Sequence, residues 1–323
     1  MTWSPKIELH LHLEGGAPSA LIRKMAAEKG VDQVGLFDAA GAYAYEDFPG
    51  FLAAYEVATQ VLREPEDYER LTRAVLEQSA AHGVIYTEAF LSPDFCGGRD
   101  VGAWRDYLAA IEAGAAQVPG IEMRGVVTAI RHFGPEKALE TARCAVETAG
   151  DFVTGFGLAG NEGLLHPRDF APAFDMAHEA GLGLTAHAGE FGGPESVRAV
   201  LDDLRVTRIG HGVRAIEDPA LVRRLAEEGI VLEVNPGSNV ALGVYADIAS
   251  HPIETLRERG VKVTVSTDDP PFFHTDMDAE YAALARAFAW DDATFREINR
   301  NAAEAAFCDA ATRRMLLDRL DEA

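Results

Sequence analysis

The chain has 323 residues, of which 48% are hydrophobic and 25% are charged, as in ordinary globular proteins. Its formal net charge of −23 would repel nucleic-acid phosphates and anionic membranes, so no nucleic-acid or membrane partner is expected. The three cysteines are far apart, and no segment is typical of a signal peptide or a membrane span, which favours a reducing, cytoplasmic location.

Short runs rich in β-forming residues alternate along the chain with longer segments of helical periodicity. The predicted strands are Lys6 to Leu13, Val84 to Leu91, Ile121 to Ile130, Val153 to Leu158, Leu182 to Ala188, Val206 to Val213, Gly229 to Val234 and Val261 to Thr267. Eight βα units predict an α/β fold, a single (β/α)₈ TIM barrel spanning residues 1–323. An open, doubly wound sheet is the structural alternative.

The segment 17–60 is longer than an ordinary connection between a strand and a helix. It lies between the first strand and the helix that leads to the second, and we predict a helical insertion over the barrel mouth. Its aromatic residues either line a substrate pocket as a lid or pack an additional helical layer. These aromatic residues are Phe37, Tyr43, Tyr45, Phe48, Phe51 and Tyr55.

Histidines and acids recur where the predicted strands end, which is the catalytic face of a barrel. His10 and His12 occupy alternate positions of strand 1, so both imidazoles are expected to face the barrel interior. His187 lies at the carboxyl end of strand 5 and Asp268 follows strand 8. Three imidazoles and one carboxylate suit zinc and leave a position for water, so these four residues predict a zinc site.

A site with two metal ions would need a bridging ligand, often a modified lysine after strand 4, where the sequence is GFGLAGNE. No lysine lies at the carboxyl end of any predicted strand, which favours one zinc ion per chain. A zinc ion lowers the pKa of a bound water to about 7. His211, at the carboxyl end of strand 6, is then free to take the proton of that water or to orient it.

Further polar groups are expected around this metal. Glu190 follows His187 by three residues and can supply a proton to the substrate, and Asp269 can orient the water or accept a hydrogen bond from the substrate. GFGLAG matches the GxGxxG pattern of dinucleotide-binding folds, but no acidic residue ends a strand about 20 positions later. Its glycines are better explained by a flat ligand close to the backbone, with the Gly160 amide as donor.

The blocks PKIELHLHLEG, GFGLAGNE, THAGE, IGHGV and STDDP occur in this order across almost the whole chain. Together they resemble the adenosine deaminase family of the amidohydrolase superfamily. The resemblance implies hydrolytic removal of the 6-amino group of an adenine ring, by attack of water at C6, with the same four zinc ligands. It also implies that Glu190 protonates N1, His211 assists the water, Asp269 contacts N7 and the water, and Gly160 donates to N3.

Two positions depart from the usual pattern of that family. Glu14 stands where adenosine deaminases usually have Asp, which contacts a ribose hydroxyl, whereas adenine deaminases often have Glu there. Asn235 stands where many relatives have Cys.

The expected small-molecule purine substrate is adenosine or 2′-deoxyadenosine, which would give inosine or 2′-deoxyinosine and ammonia. STDDP is common among the adenosine enzymes, while the aromatic residues soon after it are found in adenine enzymes. Adenine or an N6-substituted adenine is therefore the alternative substrate. Two functions of a different class also compete, namely a barrel hydrolase for a cyclic amide or phosphoester and a purine-binding relative without catalysis.

Overall fold

A computed structural model describes residues 5–322 of the chain. Eight parallel strands form one sheet in sequence order, namely β1 Lys6–His12, β2 Val84–Leu91, β3 Glu122–Ile130, β4 Val153–Ala159, β5 Gly183–Ala188, β6 Arg208–His211, β7 Val231–Val234 and β8 Lys262–Val265. Beyond β8, Asp268 bridges to Leu11 of β1, which joins the last strand to the first. The predicted (β/α)₈ barrel is confirmed, and the open, doubly wound alternative is wrong.

Helices connect the strands and surround the barrel. The α-helices of the described residues are α1 Ser19–Lys29, α2 Phe48–Thr59, α3 Pro65–Ala81, α4 Val101–Ala116, α5 Pro135–Glu147, α6 Ala171–Glu179, α7 Pro194–Leu204, α8 Pro219–Glu228, α9 Pro236–Ala241, α10 Ile253–Glu258, α11 Met277–Phe288, α12 Asp292–Ala305 and α13 Ala310–Glu322. Short 3₁₀ helices cover Gly97–Arg99, Arg131–Phe133, Pro167–Phe170, Val213–Glu217 and Ile248–Ser250. Within residues 5–322, no helix has the length and apolar character needed to cross a membrane.

The helix boundaries follow capping chemistry in the sequence. At the start of α8, the Asp218 carboxylate accepts hydrogen bonds from the amides of Ala220 and Leu221. The same helix ends at Gly229, which has the left-handed φ of 66° that glycine adopts without strain.

Several strands are shorter than predicted at their carboxyl ends. Strand 6 was expected to extend to Val213 but ends at His211, and strand 8 was expected to extend to Thr267 but ends at Val265. His211 and Asp268 have left-handed backbone conformations, with φ of 62° and 66°. Such a conformation costs about 1–2 kcal/mol for a residue other than glycine and is concentrated at functional sites. It interrupts the extended backbone where the chain reaches the barrel mouth.

An aromatic ring closes the opposite end of the barrel. Phe307, after α12, packs so close to Gly155 and Gly183 that a Cβ there would lie 2.8 and 2.2 Å from its ring atoms. The Arg208 guanidinium lies 3.5 Å from the centroid of the same ring. These residues lie near the amino ends of β4, β5 and β6, so the ring fills the barrel interior at the end opposite the carboxyl ends of the strands.

Candidate active site

The residues predicted to carry chemistry meet at the carboxyl end of the barrel. The structure places His10 and His12 on β1, His211 at the end of β6, and Asp268 and Asp269 on the segment that follows β8. His187 lies near the carboxyl end of β5, and Glu190 lies on the loop that follows. Strands far apart in the sequence thus bring these side chains to one place, as barrel topology requires.

Four of these side chains form a compact cluster. Donor atoms of His10, His12, His187 and Asp268 all lie within 4.8 Å of one another. The His12 and His187 Nε2 atoms are 3.2 Å apart, and each of the His10 and His12 Nε2 atoms is 3.3 Å from the Asp268 Oδ1 atom. Three nitrogen donors and one carboxylate oxygen at this spacing suit a zinc-like divalent cation.

The hydrogen bonds around the cluster support this fit. The His187 Nδ1–H donates to the Leu158 carbonyl at 3.0 Å, which leaves the Nε2 lone pair facing the cluster. The His10 Nδ1 atom lies 2.9 Å from the Glu233 carboxylate, while its buried Nε2 makes no hydrogen bond within residues 5–322. A Cβ at residue 210 would lie 2.8 Å from the His10 ring, so only glycine fits at Gly210. The residues present therefore fit a bound metal ion.

A buried ionic network that was not predicted from the sequence lies beneath His10. The Arg208 Nε donates to the Glu233 carboxylate at 2.6 Å, and its Nη2 lies 2.7 Å from the Glu88 carboxylate. Thr185 donates a further hydrogen bond to Glu233 at 3.0 Å. Burial opposes ionisation of Glu233, but the charge of Arg208 and the contact with His10 hold its pKa below the ordinary value. An ionised Glu233 fixes the orientation of the His10 ring.

Glu190 faces the cavity with an unsatisfied oxygen. Its Oε1 atom is buried without a hydrogen bond among residues 5–322, and its Oε2 atom is 3.7 Å from the His211 Nε2 atom. Burial, and then the charges of Asp268 and Glu162, raise the pKa of Glu190 well above its ordinary value. A protonated carboxyl group that faces a cavity can give its proton to a ligand there.

Glu162 holds the loop that carries Glu190, and this residue was also missed in the sequence. Its carboxylate accepts the Ser196 hydroxyl and the amides of Gly189, Glu190, Phe191 and Gly192, the amides at 2.5, 3.1, 2.9 and 2.9 Å. Burial opposes its ionisation, but these donors hold the pKa of Glu162 below its ordinary value. One buried carboxylate thus fixes four consecutive peptide groups beside the cluster of three histidines and Asp268.

Asp269 and Asn235 complete the polar wall. The buried Asp269 Oδ1 has no hydrogen-bond partner within residues 5–322. Burial, and then the neighbouring Asp268, raise the pKa of Asp269 well above its ordinary value. Asn235 is buried, with its Nδ2 atom 3.3 Å from the His211 Nδ1 atom. His211 therefore lies between the Asn235 amide on one side and the candidate metal ligands on the other.

A cavity of about 90 Å³ with an aromatic outer wall is lined on its polar side by His12, His187, Glu190, His211, Asp268 and Asp269. Of the six aromatic residues of the 17–60 segment, Phe48, Phe51 and Tyr55 line the cavity, all from α2. Tyr43 instead stacks on Phe272, with ring centroids 3.8 Å apart. Gly160 lines the opposite wall with a φ of 93°, and a Cβ there would lie 2.9 Å from the His132 ring. The cavity is therefore a slot between aromatic side chains and a close backbone segment.

A larger cavity, of about 330 Å³, lies outside the barrel between α3 and the segment before α11. It is lined by none of the four clustered ligands, so its size does not make it the candidate site.

Glu14 lies beside the aromatic wall and is almost fully buried. The Tyr68 hydroxyl donates to its Oε1 at 3.1 Å, and the Tyr55 hydroxyl lies 3.4 Å from its Oε2. Burial raises the pKa of Glu14 to about 7, although the two tyrosines oppose this shift. The two hydroxyl groups fix the carboxyl group in one position.

A family model described as adenosine deaminase matches residues 5–323. The chain belongs to the adenosine deaminase family. Its members are hydrolytic deaminases, which favours this class over the hydrolase of cyclic amides or phosphoesters and over a relative without catalysis. A curated adenine deaminase from a Chelativorans species is 50% identical over 317 residues, which cover 98% of this chain and 97% of that protein.

Solved structures of the family share the fold. The adenine deaminase of Arthrobacter aurescens has a TM-score of 0.90 and 29% identity, and the match covers 99% of this chain and 98% of that one. An amidohydrolase of Burkholderia ambifaria with bound zinc has a TM-score of 0.82 and 27% identity, covering 99% and 93% of the two chains. The recognised family resemblance is therefore confirmed.

Proposed function

We propose that this chain is a zinc-dependent adenine deaminase, which converts adenine and water to hypoxanthine and ammonia. Relatives about 50% identical over nearly the full length carry the name adenine deaminase. They support adenine, the alternative substrate, better than adenosine, which was the main expectation from the sequence.

The observation that carries this proposal is the position of Glu14. Its side chain is one methylene longer than the Asp of the adenosine enzymes, and Tyr68 and Tyr55 hold it beside the aromatic wall. The cavity, of about 90 Å³, is well below the about 300–1,000 Å³ typical of small-molecule sites. A bare purine base suits this space better than a nucleoside does.

In the proposed site, His10, His12, His187 and Asp268 hold one zinc ion, which would supply an activated water. Glu190 gives its proton to ring nitrogen N1 of the purine. A protonated Asp269 donates a hydrogen bond to N7, and the Gly160 amide donates to N3. A C6–O bond forms and the C6–N6 bond breaks. Of the two protons of the water, one restores Glu190 and the other leaves with the amino group as ammonia.

We also propose that residues 1–323 act as one domain in which the 17–60 segment covers the cavity. Helix α2 of this segment supplies three of the aromatic lining residues. Helix α2 begins at Phe48, and the centroid of the Phe48 ring lies 4.5 Å from that of Phe191, the residue after Glu190. This contact joins the cover to the catalytic loop and keeps water away from the bound base.

Steady-state kinetics on a substrate panel tests the proposed substrate. We expect kcat/KM for adenine to exceed that for adenosine and 2′-deoxyadenosine by more than about 100-fold, because a site shaped around one ligand discriminates by that order. N6-methyladenine belongs in the panel as the N6-substituted alternative. Adenosine turnover equal to or faster than adenine turnover would refute the proposal.

Shortening Glu14 tests whether this residue sets the substrate. A Glu14→Asp variant should lower the ratio of adenine to adenosine kcat/KM by about tenfold, since one methylene in a pocket is worth about 1–3 kcal/mol. Glu56→Asp, at an exposed position of the same cover helix, is the matched control and should leave the ratio unchanged. An unaltered ratio in Glu14→Asp would assign substrate choice to other residues.

The role of Glu162 can be tested in the same assay. Glu162→Gln removes the charge that holds four amides of the Glu190 loop, and a displacement of about 1 Å can lower the rate by about 10²-fold. We therefore expect kcat to fall by about 10- to 100-fold with zinc content unchanged. Glu195→Gln is the matched control. The exposed Glu195 accepts one main-chain amide, that of Gly193 at 3.1 Å, where Glu162 accepts four. Equal losses in both variants would contradict this role.

A further inference from the structure

His251 is a buried histidine that lies outside the metal cluster and has no part in the mechanism above. It follows the 3₁₀ helix Ile248–Ser250 and is 3% exposed. Its Nε2 atom lies 3.1 Å from the Asn239 Oδ1 atom, and the Asn239 Nδ2 atom lies 3.2 Å from the His211 Nδ1 atom. A line of hydrogen bonds therefore joins His251, through Asn239, to His211.

The direction of these hydrogen bonds is set at the end far from the cavity. The main-chain N–H of Ile253 donates to the His251 Nδ1 atom at 3.2 Å, and a main-chain N–H can only donate. Burial lowers the pKa of His251 to about 3, so the ring is neutral and has a single N–H. Because Nδ1 accepts, that N–H is at Nε2, and it donates to the Asn239 oxygen.

The position of the proton on His251 determines the orientation of the Asn239 amide and the position of the proton on His211. The Asn239 oxygen faces the His251 donor, so its amide nitrogen faces His211 and donates to the His211 Nδ1 atom. The Asn235 Nδ2 atom lies 3.3 Å from the same His211 nitrogen. With its Nδ1 accepting, the His211 ring carries its N–H at Nε2. That atom faces the site, 3.7 Å from the Glu190 Oε2 atom and 3.9 Å from the Asp268 Oδ2 atom.

We propose that Asn239 and His251 are positioning residues that make His211 a hydrogen-bond donor toward the metal site. His211 then holds the oxygen of the attacking water by donation and does not take its proton. The proton of that water goes instead to Glu190, which has given its own proton to N1. This inference rests on the proposed deaminase function only for its kinetic consequence, since the hydrogen-bond direction can be measured without turnover.

¹⁵N NMR of the zinc-loaded enzyme shows the direction of the hydrogen bonds between His251, Asn239 and His211. In protein labelled with ¹⁵N-histidine, two-bond ¹H–¹⁵N correlations show which ring nitrogen carries the proton, and the spectrum of a His211→Gln variant identifies the His211 signals. We expect a protonated Nε2 and an unprotonated Nδ1 for both His211 and His251. A protonated Nδ1 on His211 would overturn the proposal, whichever purine the enzyme deaminates.

A substitution of Asn239 tests whether the protonated nitrogen of His211 affects catalysis. Asn239→Asp has nearly the same shape but only accepts, so the His211 proton should move to Nδ1. We expect kcat to fall by about 10- to 100-fold, the usual effect of residues that orient a functional group, with KM and zinc content little changed. Asn301→Asp is the matched control, because Asn301 donates to the Val263 carbonyl at 3.2 Å, outside the site.

Two substitutions of His251 separate positioning from packing. Gln has one amide oxygen to accept from Ile253 and one amide nitrogen to donate to Asn239, whereas Phe fills the space without either bond. We expect His251→Gln to retain most of the wild-type kcat and His251→Phe to lose about tenfold, as for other orienting residues. Equal kcat in the two variants, or wild-type kcat in Asn239→Asp, would overturn the proposal.

Discussion

A Glu190→Gln variant should keep its zinc and lose about 10²- to 10⁴-fold in kcat, the usual contribution of a general acid. The carboxyl group is buried, one of its oxygens has no partner within residues 5–322, and its raised pKa keeps a proton available. An amide of the same shape preserves the packing of the loop but cannot give up a proton to the ring. Turnover of adenine and zinc per chain are the two measurements.

The Glu195→Gln variant is also the control here, because it makes the same chemical change at an exposed position in the first turn of α7, which follows that loop. Its kcat and zinc content should match those of the wild type. If Glu190→Gln loses its zinc, Glu190 is a metal ligand and not the proton donor. If only KM increases, Glu190 contributes to binding alone.

The barrel was predictable because each strand carries its own local signal. Runs such as VIYTEAFL combine β-branched and aromatic residues, and helical segments that end at glycine separate them. The clustering of the three histidines and Asp268 could be predicted from the same pattern, because the barrel topology brings the strand ends together. The strand ends were less predictable, because the left-handed backbone at His211 and Asp268 depends on the surrounding structure and not on local propensity.

The network beneath His10 was missed for a physical reason. Glu88, Arg208 and Glu233 are single charged residues within otherwise apolar or small strand segments, and each alone is compatible with either face of a strand. Only the closed barrel brings the three into contact at 2.6 and 2.7 Å. A charged residue in the middle of a fully buried strand was the available signal, because such a residue needs a buried partner.

The groups that orient Glu190 and His211 were still harder to predict. Glu162 accepts hydrogen bonds from four main-chain amides. These amides point to one carboxylate because of the loop conformation, and the side chains of the loop do not reveal that conformation in the sequence. Asn239 and His251 are separated by twelve residues, and their link needs the turn between α9 and α10. Contacts between the site residues and the residues behind them can be identified only from the folded structure.

Asp268→Ala should lose both the metal and the activity, by at least about 10³-fold in kcat/KM, since a catalytic ion contributes several kcal/mol to the transition state. Asp268 is the only carboxylate among the four clustered donors, and the Ser238 hydroxyl donates to its other oxygen at 2.7 Å. Its loss removes the one negatively charged donor and leaves three neutral imidazoles. Ser238→Ala keeps all four donors and should weaken zinc binding by about 10- to 100-fold, the usual effect of a residue that orients a ligand.

The matched control uses a histidine and acid cluster of the described chain that lies away from the cavity. His82, Asp276 and Asp278 also lie within 4.8 Å of one another, but they are half-buried, and the Lys6 ammonium already lies 2.8 Å from Asp278. The wild type and a His82→Ala variant should each bind one zinc per chain, lose activity with a chelator and recover it when zinc is added. Loss of zinc from His82→Ala but not from Asp268→Ala would place the ion at the half-buried cluster. Because the two clusters differ in charge compensation, dialysis against graded chelator concentrations distinguishes them even when the total zinc content is the same.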